Sequence, residues 1–211
     1  MSLSICNEDL DHIFFVKPSK IVIYGEAAVG KTNLLLNILK CSVNRLKLSE
    51  VIYFISTEGS TFIEKLRKLR LDNEKMFISI AIDQLHLVHM LIDIVRMLDK
   101  YSPYCVIIDS INSHYRVESI STEGIVLFNE ILTLLDMLNT SNVYVVVSAQ
   151  VRNIDGKQEI PGYEYLQLWA DVVAYVSRNH PFYRILRIHK PSIDKMFYFD
   201  ITLDGVRWIR I

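Results

Sequence analysis

The sequence predicts an open α/β fold with a central, mostly parallel sheet and an antiparallel C-terminal extension. Three observations predict it. Five short apolar runs are continuous rather than alternating, as expected of strands buried on both faces of a parallel sheet. Stretches with helical spacing separate them, so strand and helix alternate in the manner of right-handed βαβ units. After about residue 170 the runs alternate more and are separated by turn residues, which reads as antiparallel strands.

The five runs are 20–24 (KIVIY), 51–56 (VIYFIS), 76–82 (MFISIAI), 104–109 (YCVIID) and 143–149 (VYVVVSA). Leu34, Leu35, Ile38 and Leu39 mark the first helix, and Leu66 and Leu69 a short second one. Leu87, Leu91, Ile94, Val95 and Leu98 mark the third, and Leu127, Ile131, Leu134, Leu135 and Leu138 the fourth. The C-terminal strands DVVAYVSR, FYRILRIHK and KMFYFDITL are punctuated by turns at 179–181, 191–194 and 204–205. Residues 152–162 (RNIDGKQEIPG) read as a polar loop. No linker, repeat or low-complexity segment interrupts the chain, so residues 1–211 read as one domain, with 1–19 as a short N-terminal extension.

The chain has 211 residues, 51% hydrophobic and 22% charged, enough to bury a sizeable core. The net charge of −1 excludes a global basic field, so any nucleic-acid contact must come from a local patch and be salt-sensitive. Cys6, Cys41 and Cys105 are odd in number and lack metal-ligand spacing. Cys105 sits in an apolar run as a small hydrophobe, and no disulfide framework is expected, which suits a reducing cytoplasm. The N-terminus lacks a signal-peptide pattern, and no apolar run approaches 18 residues, so no membrane partner is expected.

The strongest motif is GEAAVGKT, residues 25–32, which fits G-x-x-x-x-G-K-[ST] directly after a strand and before a helix. Backbone N–H groups must wrap around phosphate oxygens, and glycine permits the backbone angles this requires. The following helix adds its free amides and dipole. Gly25, Glu26, Ala27, Ala28, Val29, Gly30, Lys31, Thr32 and Asn33 are the predicted nucleotide contacts. Lys31 reaches the β- and γ-phosphates, and the Thr32 hydroxyl ligates Mg²⁺. Ala27 and Ala28 stand where extra glycine is common, which predicts a stiffer loop.

Asp109 ends a buried strand and is the predicted second metal ligand, because open α/β folds bind at the carboxyl ends of their strands. Glu58, in FISTEGS, is the candidate for activating water. Gln150 ends YVVVSAQ, where a neutral amide can sense a γ-phosphate. His86 and His89 are three apart on a helix, but without further ligands they predict no metal site. Lys65, Arg67, Lys68 and Arg70 read as a solvated helix face, and Trp169 as packing at a sheet–helix junction.

Together YGEAAVGKTNLLLNIL, VIYFISTEGSTFIEKL, VIIDSINSHYRVE and VYVVVSAQV, in this order, resemble the RecA/RadA recombinase core. The likeness spans roughly residues 15–210 and is greatest to archaeal RadA paralogues of the RadB type. It implies a RecA-like P-loop NTPase sandwich that binds ATP and Mg²⁺. It also implies Glu58, Lys31 and Gln150 as catalytic groups, with Thr32 and Asp109 on the metal. The segment after Asp109, with His114, Tyr115 and Arg116, matches the first DNA-facing loop, and 152–162 stand in place of the second. Tyr115, Arg116, Arg152 and Lys157 are therefore the candidate contacts to single-stranded DNA, with Tyr115 as a stacking ring. Lys190 matches a region where such proteins place cations that reach a neighbour's ATP, against a plain exposed lysine.

Departures from the pattern narrow the expectation. The recombinases' N-terminal helix-hairpin-helix domain and Phe-x-x-Ala linker have no counterpart in 1–19, and the second loop is short. The arginine that packs on adenine is not evident, since Ile63 and Lys65 occupy its region. The resemblance thus implies a slow ATPase that modulates homologous recombination and DNA repair, with full-length RadA as a protein partner. Two rivals share the core: a KaiC-like signalling or motor-assembly ATPase acting on a protein, and a nucleotide-binding scaffold for the recombinase.

Overall fold

The computed structural model describes residues 3–71, 73–100, 102–118, 121–154, 157–178, 180–193 and 195–210. Nine strands form one sheet, and its interior order places every candidate catalytic residue at one edge. The parallel strands are β1 (Lys20–Gly25), β2 (Glu50–Ser56), β3 (Met76–Ile80), β4 (Ser102–Asp109) and β5 (Tyr144–Gln150). A hairpin of β6 (Arg152–Ile154) and β7 (Lys157–Glu159) stands apart. The chain then adds β8 (Val172–Ser177), β9 (Arg184–Lys190), β10 (Met196–Thr202) and β11 (Gly205–Ile209). The order across the sheet is β11-β10-β9-β8-β1-β5-β4-β2-β3.

Hydrophobic periodicity explains the layers. Helices α2 (Lys31–Ser42) and α3 (Thr61–Lys68) cover one face. Helices α4 (Gln84–Arg96), α6 (Thr122–Thr140) and α7 (Tyr163–Trp169) cover the other, while the short α5 (Tyr115–Glu118) follows β4. Side chains alternate between faces along each strand. On β1, Ile21 and Ile23 join the first layer while Val22 and Tyr24 join the second. Both faces therefore need apolar residues, which is why β1, β2 and β5 read as unbroken apolar runs.

The structure corrects several expectations. Strand β3 is an edge strand, and Phe77 and Ile78 are 42% and 39% exposed. Within the expected polar loop, residues 152–154 and 157–159 pair as antiparallel strands, with Arg152 opposite Glu159. Strand β8 runs parallel to β1, so the antiparallel extension begins only at β9. An additional helix, α1 (Glu8–Phe14), starts at an Asn7 cap that accepts from the Leu10 amide. It buries Leu10 and Phe14 completely.

The expectation of no disulfide is also overturned: Cys6 and Cys41 are bonded, with Cα atoms 5.8 Å apart. Their 35-residue separation hid the pairing. What brings them together is the N-terminal segment lying on α2. Asn37 Nδ2 donates to the Ile5 carbonyl at 2.8 Å, and the Ser4 amide donates to Ser42 Oγ at 3.0 Å. No described helix is long and apolar enough to cross a membrane.

Candidate nucleotide site

Strand register assembles the site. Ser56 pairs with Asp109, Ile108 with Val147, and Gly25 with Gln150. The ends of β2, β4, β5 and β1 therefore stand side by side. Gly25 must be glycine, because a Cβ there would collide with the Val176 carbonyl oxygen of β8. Gly30 caps α2 in a left-handed conformation (φ 111°), and a Cβ on it would meet Ile201 Cδ1 at 2.9 Å. Ala28 is left-handed too (φ 62°), without glycine's freedom. That geometry costs a residue with a Cβ roughly 1–2 kcal/mol.

A cleft of about 400 Å³ opens over this loop, within the size range of ligand sites. Ala27, Ala28, Gly30, Lys31, Thr32, Asn33, Glu58, Asp109 and Gln150 all line it. Gly25 and Glu26 offer their carbonyls to Lys31 Nζ at 2.9 and 2.8 Å, and Val29 is buried beneath. Lys65 also faces the cleft, so this residue of the basic helix is part of the site and not only a solvated face.

The polar groups are bonded to one another. Thr32 Oγ1 donates to Asp109 Oδ2 at 2.6 Å, and Ser148 Oγ donates to Asp109 Oδ1 at 2.5 Å. Burial pushes the Asp109 carboxyl above the usual carboxylate range, and the charge of Glu58 adds to this. The hydroxyls of Ser148 and Thr32, with Lys31, pull it back. Burial lowers the Lys31 ammonium, opposed by Glu58, Asp109 and Glu26. A divalent cation beside Thr32 and Asp109 relieves the Asp109 cost, and an anion beside Lys31 relieves the other. Both residues thus fit Mg²⁺ and a phosphate chain.

A second chain of bonds leads away from the cleft. Gln150 Nε2 donates to Glu58 Oε1 at 2.6 Å, while Arg116 Nη1 donates to Gln150 Oε1 at 3.0 Å. Asn112 Nδ2 donates to the carbonyls of Gln150 and Pro161, and its Oδ1 accepts from the Gln150 amide. The candidate acid, the candidate sensor and both candidate DNA-facing segments are thereby physically linked. The acid-bearing turn is tied down separately, since Thr57 Oγ1 donates to the Ser110 carbonyl at 2.6 Å.

Sequence reasoning missed Ser148 and Asn112. Each is a small polar residue near a strand end, with no spacing that distinguishes it from a surface residue. The cis peptide between Asp109 and Ser110 had no signal either.

Tyr115, Arg152 and Lys190 each have partners within the chain. Tyr115 is not a free stacking ring: it is 7% exposed and stacked on Phe128 with centroids 4.2 Å apart. The first turn of α5 points it into the core of α6. Arg152 is held in an ion pair with Glu159 at 3.0 Å, because the hairpin places them opposite each other. Lys190 donates to the Gln167 and Ala170 carbonyls at the end of α7, so its charge serves a helix C-terminus. The Lys157 side chain lies outside the described residues. Trp169 packs against the second core layer, as expected, with Lys20 Nζ 5.4 Å over its ring.

A larger cavity of about 690 Å³ lies between the hairpin, α7 and β9. It is lined by Tyr24, Tyr163, Tyr175 and His189, with Glu159 and Glu164. Chemistry favours the smaller cleft as the reactive site, because the lysine, the acidic pair and the α2 amides converge there.

The fold is RecA-like. The structure matches one described as "Crystal structure of the RadB recombinase" with a TM-score of 0.77 at 22% identity, over 99% of this chain and 100% of that one. In sequence the chain is 28% identical over 205 residues to the "DNA repair and recombination protein RadB" of Methanocaldococcus jannaschii, spanning 89% of this chain and 92% of that protein. No family model matches. The chain is thus RadB-like, in sequence and in fold, as its motifs had suggested.

Proposed function

We propose that this chain binds Mg²⁺–ATP in the P-loop cleft, hydrolyses it slowly, and engages single-stranded DNA to modulate homologous recombination and repair as a RadA paralogue. The observation that carries the proposal is the bonded chain from Glu58 through Gln150 to Arg116, which starts in the cleft that also holds the Asp109–Thr32 pair. The name of the RadB relative, a repair and recombination protein, supports the same reading. Bound Mg²⁺ would supply Lewis-acid charge at the phosphates, held by Thr32 and Asp109.

The chain's own groups do the rest. Lys31 and the α2 amides bind and orient the phosphates. Glu58 accepts the proton of an attacking water, and Gln150 orients that water or the terminal phosphate. Gln150 cannot keep both of its present partners while turning to a γ-phosphate. Nucleotide binding therefore releases or re-aims Arg116, which stands in the first DNA-facing segment. Full-length RadA as a docking partner belongs to the same proposal.

The test is a titration of labelled single-stranded DNA with and without Mg²⁺ and a non-hydrolysable ATP analogue, over a salt series. The analogue should tighten DNA binding by about ten-fold, within the usual range of coupling. The salt slope should be shallow, because few cations face the DNA. Equal affinity with and without the analogue would sink the coupling.

A further inference from the structure

Arg184 opens β9 and leans over the phosphate loop, with its Cδ 3.3 Å and its Nε 3.4 Å from where a Gly30 Cβ would stand. Its side chain is only 12% exposed. Its Nη1 reaches Asp200 Oδ1 at 3.4 Å, at the weak end for such a pair. Asp200 already accepts from the Ile201 amide at 2.7 Å and faces Arg207 at 3.4 Å. The Nε–H of Arg184 is buried without a hydrogen-bond partner among the described residues.

A buried guanidinium N–H without an acceptor is costly, and in a built site it signals a partner that binds there. Lys31, Lys65 and Arg184 line the cleft with Glu58 and Asp109, and the weakly paired Asp200 stands beside Arg184. Burial disfavours the charged form of Arg184, the charge of Arg178 adds to this, and Asp200 opposes both. An anion over the loop would satisfy the Nε–H.

We infer that Arg184 is a phosphate ligand of the bound nucleotide, acting within the same chain through its Nε edge. The inference rests on the nucleotide reading above and adds to it a cation from the antiparallel half of the sheet. A guanidinium suits this position because its planar fork donates to phosphate oxygens while its stem packs on Gly30 and Ile201. The role is one of binding and positioning. It also explains why Gly30 must lack a Cβ beyond its backbone angle, since a side chain there would push Arg184 away.

The experiment measures binding of N-methylanthraniloyl-ATP and -ADP to the full chain and to its R184Q and R184K variants, over a salt series. R184Q should weaken both nucleotides on the order of ten-fold, the value of one hydrogen bond to a charged group. Its binding should also depend less on salt, because one charge contact is gone. R184K should keep the salt dependence and lose only part of the affinity. Wild-type affinity and salt dependence in R184Q overturn the inference while leaving the nucleotide reading intact. Equal losses in R184Q and R184K, with matching drops in the melting temperature of the nucleotide-free protein, make Arg184 a packing residue and overturn it too. A wild-type chain that binds neither nucleotide overturns the nucleotide reading itself, and this inference with it.

Discussion

The P-loop cleft and the DNA-facing edge differ in how their polar groups are held. In the cleft, Asp109, Thr32, Ser148 and Lys31 bond to one another or to the loop backbone, and Lys31 and Asp109 are buried. At the edge, Arg116 hangs on the sensor amide, Arg152 is neutralised by Glu159, and Tyr115 is turned inward. The cleft is therefore the more fixed of the two, although Lys31, Thr32 and Gln150 must also exchange bonds for a nucleotide, whereas the edge holds its cations in bonds to other side chains that DNA would have to displace. Preorganised sites lose little on binding, and exchanged ones lose part of what they gain. On the proposed reading, the more fixed nucleotide end would lead and the DNA end would follow.

Substituting one residue from each part of this arrangement would break or sharpen the contrast. The largest effect is expected from Glu58→Gln, which keeps the bond to Gln150 but cannot take a proton. Turnover should fall by about 100-fold or more in a phosphate-release assay, the usual contribution of a general base. Unchanged turnover would remove Glu58 from the chemistry.

Asp109→Asn separates function from stability. The Asp109 value is raised in the folded chain, so folding favours its protonated form. As pH rises from the usual carboxylate range through the raised value, the native state loses stability, and lowering the pH restores it. The asparagine variant should escape this cost. In metal-free buffer at pH 7 it should melt a few degrees higher than wild type, and this gain should vanish at acid pH. Its nucleotide binding should no longer respond to Mg²⁺. A lower melting point at pH 7 would mean that the Ser148 and Thr32 bonds outweigh the burial of charge.

Arg116→Ala tests the link between the two regions. DNA affinity in the presence of the ATP analogue should fall about five-fold, and the tightening by nucleotide should largely disappear. Nucleotide affinity itself should hardly change. If the variant's DNA affinity still rises with nucleotide, Gln150 reports by another route.

The smallest effect is expected at Tyr115. Tyr115→Phe should bind DNA as wild type does, because the ring stacks inside the protein on Phe128. Tyr115→Ala should instead cost about 3 kcal/mol in chemical denaturation, as loss of a buried aromatic ring does. DNA binding lost in the phenylalanine variant would return the tyrosine to the interface.

Most of the nucleotide cleft was legible because its residues sit at strand ends or in a loop of fixed spacing. A buried strand leaves its last residue little choice of position, so Asp109 and Gln150 could be placed from the apolar runs that precede them. The edge was harder. Whether Tyr115 faces solvent depends on one helical turn, and Arg152 meets Glu159 only because residues 152–154 pair with 157–159. Arg184 was invisible for a different reason: it lies 154 residues after Gly30, and only the order of strands across the sheet brings it over the loop.

By itself, then, the sequence determined the βα alternation, the phosphate loop and the strand-end carboxylate and amide. Each is a matter of local spacing: apolar periodicity, glycine placement and the hand of βαβ units. Tertiary structure alone decided that β8 runs parallel to β1, that Cys6 meets Cys41, and that Arg184 reaches the cleft. These are contacts between residues far apart in the chain, set by which elements pack together and not by any residue's own preference.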